Sequence, residues 1–303
     1  MASSEMEYFL ANAISLDYQA FLHTRGFSPA MLEKTEIERT CVRRKADLRA
    51  CGRMVDLEWD SEFFGFPCSR LEGLFLSSSV TKDERRKLVE ILIDLNSPLE
   101  SFTACRIGIT DLEMIRVLEK CGFRFADVMN VYTLNLTSGV YSQAQAETLN
   151  ADREADREFI RCCLEDMHEG RFLTEDHIPR RKGLKYYYQR TLHHLNNGAV
   201  STLLRQDGER AGFAIGVPDK EISSHIGRRY GYLWLIALKV EFKGCGLGRV
   251  LFDAFLNSFS MHCDELEIGT QVGNIQANRL YMSAGAEFAC GLLTLHRFSG
   301  EVR

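Results

Sequence analysis

Proline is scarce in this chain, with five among 303 residues, and no Gly/Ser-rich stretch occurs, so no segment has the composition of a flexible tether. An excess of positive charge is missing as well. Lys and Arg total 37 against 42 Asp and Glu, a formal net charge of −5, which leaves no basic field to hold a nucleic-acid backbone by counterion release. Long apolar runs are also lacking. Leu233–Val240 is among the longest, at about eight residues against the roughly 20 a membrane helix requires. Cysteines number ten, but they are scattered apart from the adjacent Cys162 and Cys163, and no Cys-x-x-Cys pair occurs. That pattern builds neither a zinc site nor a disulfide framework, and the cysteines read as reduced thiols. The opening Met1-Ala-Ser-Ser-Glu-Met-Glu is acidic and lacks a charged-then-apolar signal pattern. A soluble, cytoplasmic protein without membrane insertion or nucleic-acid partner is expected.

What is present is ordinary for a globular protein: 45% hydrophobic and 26% charged residues, enough to bury a core in one large domain or two modest ones. Residues 1–50 read mostly as helix, with Phe9, Ala13, Ile14, Tyr18, Phe21 and Leu22 at helical spacing. From about Arg53 short strands and helices alternate. Leu57 to Pro67 holds four large aromatics and ends in loop signals; it reads as a hydrophobic plug or as the flank of a ligand pocket. Strands are expected near Arg70–Leu74, Phe102–Ile109 and Phe125–Leu136, with helices over Asp83–Leu95 and from Asp111 to Gly122. The polar stretch Thr137 to Gln145 is the best boundary. Beyond it come helices reaching Leu164 and over Leu184–Leu195, separated by a loop at Arg171–Pro179. Strands follow at Ala199–Arg205, Arg210–Val217 and Tyr230–Val240, the first two joined by the turn Gln206-Asp207-Gly208-Glu209.

An internal repeat underlies this order. Aligning Asp111 with Asn274 places Val117 on Leu280, Gly122 on Gly285, Phe125 on Phe288 and Ala126 on Ala289 without a gap. Tyr281, however, falls on Leu118, and no Gly-x-Gly-x-Gly precedes residue 138. Two related modules are expected, with the chemistry in the second.

That chemistry centres on Leu238 to Tyr281. Gly244, Gly246 and Gly248 lie between an apolar strand and an amphipathic helix, where backbone N–H groups would gather at a helix N-terminus and hold phosphate. The spacing fits neither the Gly-x-Gly-x-x-Gly of a dinucleotide fold nor a P-loop, which needs Gly-Lys-Ser/Thr. Strand, Lys243-Gly-Cys-Gly-Leu-Gly, helix, and then Asn274-x-x-Ala-x-x-Leu-Tyr281 with Gly285 together resemble the GNAT superfamily of acetyl-CoA-dependent N-acetyltransferases.

The resemblance implies an α/β fold of the α+β GNAT type, a mixed, mostly antiparallel sheet flanked by helices. Its implied organisation is a helical extension at 1–50, a degenerate GNAT-like module without the coenzyme loop at 51–138, and a catalytic GNAT domain at 139–303. It also implies acetyl-CoA as cofactor. Leu238 and Val240 would pair with the pantetheine arm, and the amides of Gly244, Cys245, Gly246, Leu247, Gly248 and Arg249 would face the pyrophosphate. Lys243 replaces the family's Gln or Arg, Asn274 matches a coenzyme-contacting asparagine, and Arg279 stands where members hold a phosphate. Tyr281 matches the tyrosine that protonates the departing thiolate. Many members carry a basic carboxylate on the central strand, but Tyr232 to Leu238 has none; Glu62, Asp176 and His177 are the candidates elsewhere, each equally readable as an ordinary loop residue. Cys245 reads as loop filler.

A narrower resemblance rests on Leu57-Glu-Trp-Asp-Ser-Glu-Phe-Phe-Gly65 and on Arg171-Phe172, Asp176 and Ile178-Pro179. Placed ahead of a GNAT module, these are similar to the TDP-fucosamine acetyltransferase family, over residues 54–303. It implies direct attack by the amino group of a nucleotide-linked amino sugar. The alternatives are an N-acyltransferase for another amine (antibiotic, polyamine, peptide or protein) and a non-catalytic acyl-CoA-binding scaffold, and a homodimer is left open as an assembly. Tyr186, Tyr187 and Tyr188 could stack on a sugar or base, or pack in the core.

Overall fold

The computed structural model describes residues 41–44, 47–76, 81, 84, 86, 87, 89, 90, 100–137, 139, 147–168 and 170–300. Two compact units emerge, one running to Met129 and adding the segment from Cys290, the other spanning Asn130–Ala289.

In the first unit the strands are β1 (Cys41–Arg44), β2 (Asp47–Asp56), β3 (Cys68–Leu76) and β4 (Ser101–Gly108), in the order β1-β2-β3-β4-β10. Its closing strand, β10 (Glu287–Ser299), pairs antiparallel with β4 from Leu292↔Gly108 to Ser299↔Ser101. Helix α1 (Glu58–Phe64) links β2 to β3, and α2 (Leu112–Lys120) follows β4. Leu71, Cys105, Ile107, Met114, Leu118, Leu293 and Leu295 form the core.

The second unit takes its first strand from the end of the earlier module: β5 (Arg124–Asn135) stands beside β9 in the order β5-β9-β8-β7-β6. Next come α3 (Glu154–Glu165), α4 (Arg180–Asn196), β6 (Val200–Gln206), β7 (Glu209–Pro218), α5 (Lys220–Ile226) and β8 (Tyr230–Leu238). A 3₁₀ turn at Val240–Phe242 leads to α6 (Leu247–Ser260), β9 (Glu265–Gln271) and α7 (Ile275–Ser283). One sheet face packs Leu233, Leu266 and Ile268 against Leu251, Phe252, Phe255 and Phe259 of α6. The other packs Phe213 and Ile215 against Phe159, Ile160 and Leu164 of α3. Helix α6 lies close because a Cβ on Gly216 or Gly231 would sit 2.5 or 2.7 Å from the Phe259 ring.

Local chemistry accounts for the repeat. Asp111 accepts the Met114 N–H at 3.2 Å and Asn274 accepts that of Ala277 at 3.1 Å, so both helices are capped three residues in. Each then stops at a glycine in the left-handed region, Gly122 at φ 88° and Gly285 at φ 90°. The β6–β7 turn places Asp207 at φ 52° and Gly208 at φ 83°, the mirror-image turn that a twisted hairpin favours.

Several expectations change. Residues 1–40 lie outside the described residues, as does much of the helix expected over 83–95, of which 84, 86, 87, 89 and 90 are helical. Within the supposed helical extension, β1 and β2 are strands, because β2 pairs with β3 from Ala50↔Leu76 to Asp56↔Ser69. Leu57–Pro67, for which no element was expected, is mostly helix α1, closed by Gly65 at φ 81° before the loop signals at its end. Val240 leaves the strand for the 3₁₀ turn, and α4 starts four residues before Leu184, directly after Pro179. The compact units part between Met129 and Asn130, and residues from Cys290 belong with the earlier unit through the β4–β10 ladder.

Candidate functional site

β8 and β9 run parallel from Tyr230↔Glu265 to Leu233↔Ile268, and there their ladder ends. Yet β8 continues to Leu238 and β9 to Gln271. On its other edge β8 pairs with β7, Leu233 with Gly216 and Leu235 with Ile215, so Trp234 is the bulged residue between them. Beyond Leu233, then, β8 keeps β7 on one side while its β9 side carries no ladder pair among the described residues. An extended ligand arm could hydrogen-bond to such an edge as an added strand.

The glycine loop follows from this strand. Gly244 at φ 78° and Gly246 at φ 80° adopt left-handed backbone, and a Cβ at either would meet nothing within 4 Å. Gly246 caps α6; in the first turn the Arg249 N–H donates to the Gly246 carbonyl at 3.1 Å, while the amides of Leu247 and Gly248 have no partner within the helix. The space beside Gly244 and Gly246 is therefore open at the start of a helix, where main-chain amides can hold an anion. Lys243 does not point freely from the loop but is ion-paired with Asp166 at the end of α3, and that bond holds the Asp166 carboxyl below its usual range. Arg249 is also committed: its guanidinium meets Asp253 at 2.8 Å and the Ser283 carbonyl at 3.0 Å, tying α6 to α7. Cys245 is exposed.

On α7, Asn274 spends its side-chain carbonyl on the helix cap, Arg279 is exposed, and Tyr281 is 3% exposed in the α6 core. The Tyr281 ring lies 5.2 Å from Phe252 and 6.3 Å from Tyr132. Burial pushes its phenol pKa well above the ordinary value. The helix is held by Asn278, which no motif marks. Its side chain accepts from Tyr132 Oη at 2.7 Å and from Asn130 Nδ2 at 2.8 Å, while its own Nδ2 donates to the carbonyls of Gln271 and Asn274.

A second group of polar side chains occupies the α4 face of the sheet. Trp234 Nε1 donates to Thr191 Oγ1 at 3.0 Å, and the buried His194 ring lies 4.7 Å from Trp234 and 6.4 Å from Tyr232. Burial lowers the His194 pKa to about 3, helped by Arg190 and His193. Tyr230 donates to the buried Glu267, and Arg228 pairs with Glu265 at 2.8 Å. None of these was marked by spacing in the sequence. Of the expected bases, Glu62 is exposed on α1 in the first unit. Asp176 and His177 are exposed before α4, His177 meeting Glu175 at 3.1 Å. Tyr186 packs on Phe172 at 4.6 Å, Tyr187 on Trp234 at 6.3 Å, and Tyr188 lies under Arg161.

Comparison with known proteins gives this geometry a setting. Residues 161–286 match the profile of the acetyltransferase (GNAT) family. No curated protein matches the sequence. The fold is similar to a GCN5-related N-acetyltransferase from Sphaerobacter thermophilus, with TM-score 0.55 and 13% identity over 100% of this chain and 93% of that one. A GCN5-related N-acetyltransferase from Kribbella flavida gives 0.53 and 13% over 89% and 94%. A tandem GNAT protein from the clavulanic acid biosynthesis pathway gives 0.51 and 12% over 98% and 93%. At such identities the likeness establishes the fold: a GNAT-type mixed sheet flanked by helices.

Proposed function

We propose that this chain, an acyltransferase carrying a GNAT domain over residues 161–286, transfers an acetyl group from acetyl-CoA to the amino group of a nucleotide-linked amino sugar. The observation that carries the acyl-transfer reading is the parting of β8 from β9 after Leu233↔Ile268, with the glycine loop at the end of the same strand. The pantetheine arm would lie along Leu235–Leu238 and end near Val240. The diphosphate would rest on the amides from Gly244 to Arg249, with Lys243 at the loop entrance, Asn274 beside it and Arg279 toward an outer phosphate. The bulge at Trp234 leaves backbone groups outside the β7 ladder near the expected position of the thioester.

Tyr281 is assigned as the proton donor to the thiolate. In water, a phenol near pKa 10 protonating a thiol near 8.5 is uphill by about 2 kcal/mol, so it acts as a hydrogen bond that strengthens as charge develops. Its burial against Phe252 supports this role, because a dry site strengthens such bonds.

The sugar reading draws support from α4. It carries Arg180, Arg181, Lys182, Lys185 and Arg190 and no acidic residue, within a chain of net charge −5. That local excess complements a diphosphate-bearing acceptor. Among the described residues no helix is long and apolar enough to cross a membrane. The test is thiol release from acetyl-CoA with a thymidine-diphosphate-linked 4-amino-4,6-dideoxyhexose, spermidine and a peptide with a free N-terminus. Turnover with the sugar is expected. Turnover with the peptide alone overturns the sugar assignment, and coenzyme binding without turnover on any amine overturns the enzymatic one.

A further inference from the structure

We infer that Glu267 is the carboxylate that receives the acceptor amine's proton, an assignment that rests on the acyl-transfer reading above. Leu266 and Ile268 are fully buried in the core under α6, so Glu267, between them on β9, projects to the opposite face of the sheet. Its register partner is Tyr232, one pair before the ladder opens at Leu233↔Ile268. The carboxylate central to many relatives is missing from β8, and Glu267 stands on the neighbouring strand beside the opening.

Its surroundings suit the task. Glu267 is 8% exposed and Tyr230 Oη donates to its Oε2, a bond that fixes the carboxylate's orientation beside the opening. Around it are Tyr230 and Tyr232 from β8 and Glu265 with its partner Arg228, and on α4 the His194 ring stands 6.4 Å from that of Tyr232. His194 is neutral near pH 7 and so sets no positive charge against an arriving ammonium. Trp234, fixed by Thr191, adds an aromatic face where the ladder ends, and a cation is attracted to such a face.

The step balances. The ammonium gives one proton to the Glu267 carboxylate, directly or through a water. The freed lone pair forms the C–N bond to the thioester carbonyl carbon as the C–S bond breaks. The thiolate takes a proton from Tyr281, the nitrogen passes its second proton through water to the tyrosinate so formed, and the proton on Glu267 returns to solvent.

The test measures kcat/KM for the amine that the wild type acetylates from the three named above, across pH, with acetyl-CoA affinity measured alongside. Glu267→Gln preserves shape and can still accept from Tyr230. It should lower kcat/KM at least about 100-fold near neutral pH, flatten the acidic limb of the profile, and leave acetyl-CoA affinity within about twofold. Tyr230→Phe removes the donor that orients the Glu267 carboxylate and should lower kcat severalfold with acetyl-CoA affinity unchanged, a split that a merely structural tyrosine would not give. An active, folded Glu267→Gln with an unchanged profile overturns the assignment, as does one that loses acetyl-CoA affinity in step with turnover. Should Glu267→Gln fail to fold, the loss of kcat at unchanged acetyl-CoA affinity in Tyr230→Phe decides, and a kcat equal to the wild type's overturns the assignment. A wild type that binds acetyl-CoA and acetylates none of the amines overturns the functional reading and this role with it; an active wild type with an unaffected variant overturns this role alone.

Discussion

The hydroxyl of Tyr132 on β5 donates to the side-chain carbonyl of Asn278 on α7 at 2.7 Å. The same oxygen accepts from Asn130, and the Asn278 amide donates to two main-chain carbonyls near the helix start. A strand that follows the earlier module thereby fixes the helix that presents Tyr281. Tyr132→Phe leaves the Asn130 donor in place and should cost about 1 kcal/mol. Asn278→Ala orphans several buried partners and should cost about 3 kcal/mol. Urea denaturation of the two variants measures both.

Tyr281→Phe should lower turnover by at least roughly tenfold while leaving acetyl-CoA affinity nearly unchanged. Because burial raises the phenol pKa, the hydroxyl keeps its proton through alkaline pH, and the wild-type rate profile should show no Tyr281 limb below about pH 10. Near-normal turnover in the variant would remove the residue from the mechanism.

Gly246 holds φ 80° at the cap of α6. Gly246→Val forces a β-branched residue into left-handed backbone, at about 1–2 kcal/mol, and its side chain would enter the open space over the amides. Coenzyme A affinity, read by calorimetry, should fall at least tenfold. An unaltered affinity would move the diphosphate elsewhere.

His194, with its folded pKa lowered to about 3, binds fewer protons than the unfolded imidazole at about 6.5. Its contribution to stability is therefore whole above about pH 6.5 and is lost as pH falls from there toward 3, by up to about 1.4 kcal/mol per pH unit. Denaturation at pH 7 and pH 5 should show a shallower decline in His194→Gln than in the wild type.

Residues 139–303 made alone would lack β5, and with it Tyr132, Leu134 and Leu136 of the α6 core. Such a fragment should fail to give a cooperative thermal transition by circular dichroism, whereas one beginning at residue 124 retains the strand and should melt cooperatively. A sharp transition in the shorter fragment would show that β5 is dispensable.

The local signals in the sequence were legible because their causes are local. Asp111 and Asn274 cap, Gly122 and Gly285 terminate, and Asp207-Gly208 turns, each within four residues of its effect. Strand partners were not legible. The pattern of Phe125–Leu136 says strand, but nothing in it says that the neighbour will be β9, nor does β10 announce β4 across nearly 200 residues. The short α5 over Lys220–Ile226 escaped for lack of a long apolar stripe. Glu267 escaped because an alternating Glu-Leu-Glu-Ile strand looks half solvated, and only the packing of Tyr230 reveals that its polar face is covered.

The exchange of final strands also sets an order in time. Residues 130–289 are all joined before Cys290 is added, so the later half has its full sequence while the earlier half still lacks the strand that pairs with β4. Chains usually settle domain by domain from the N-terminus. Here the half bearing the glycine loop is complete first, and the half synthesised first is finished last.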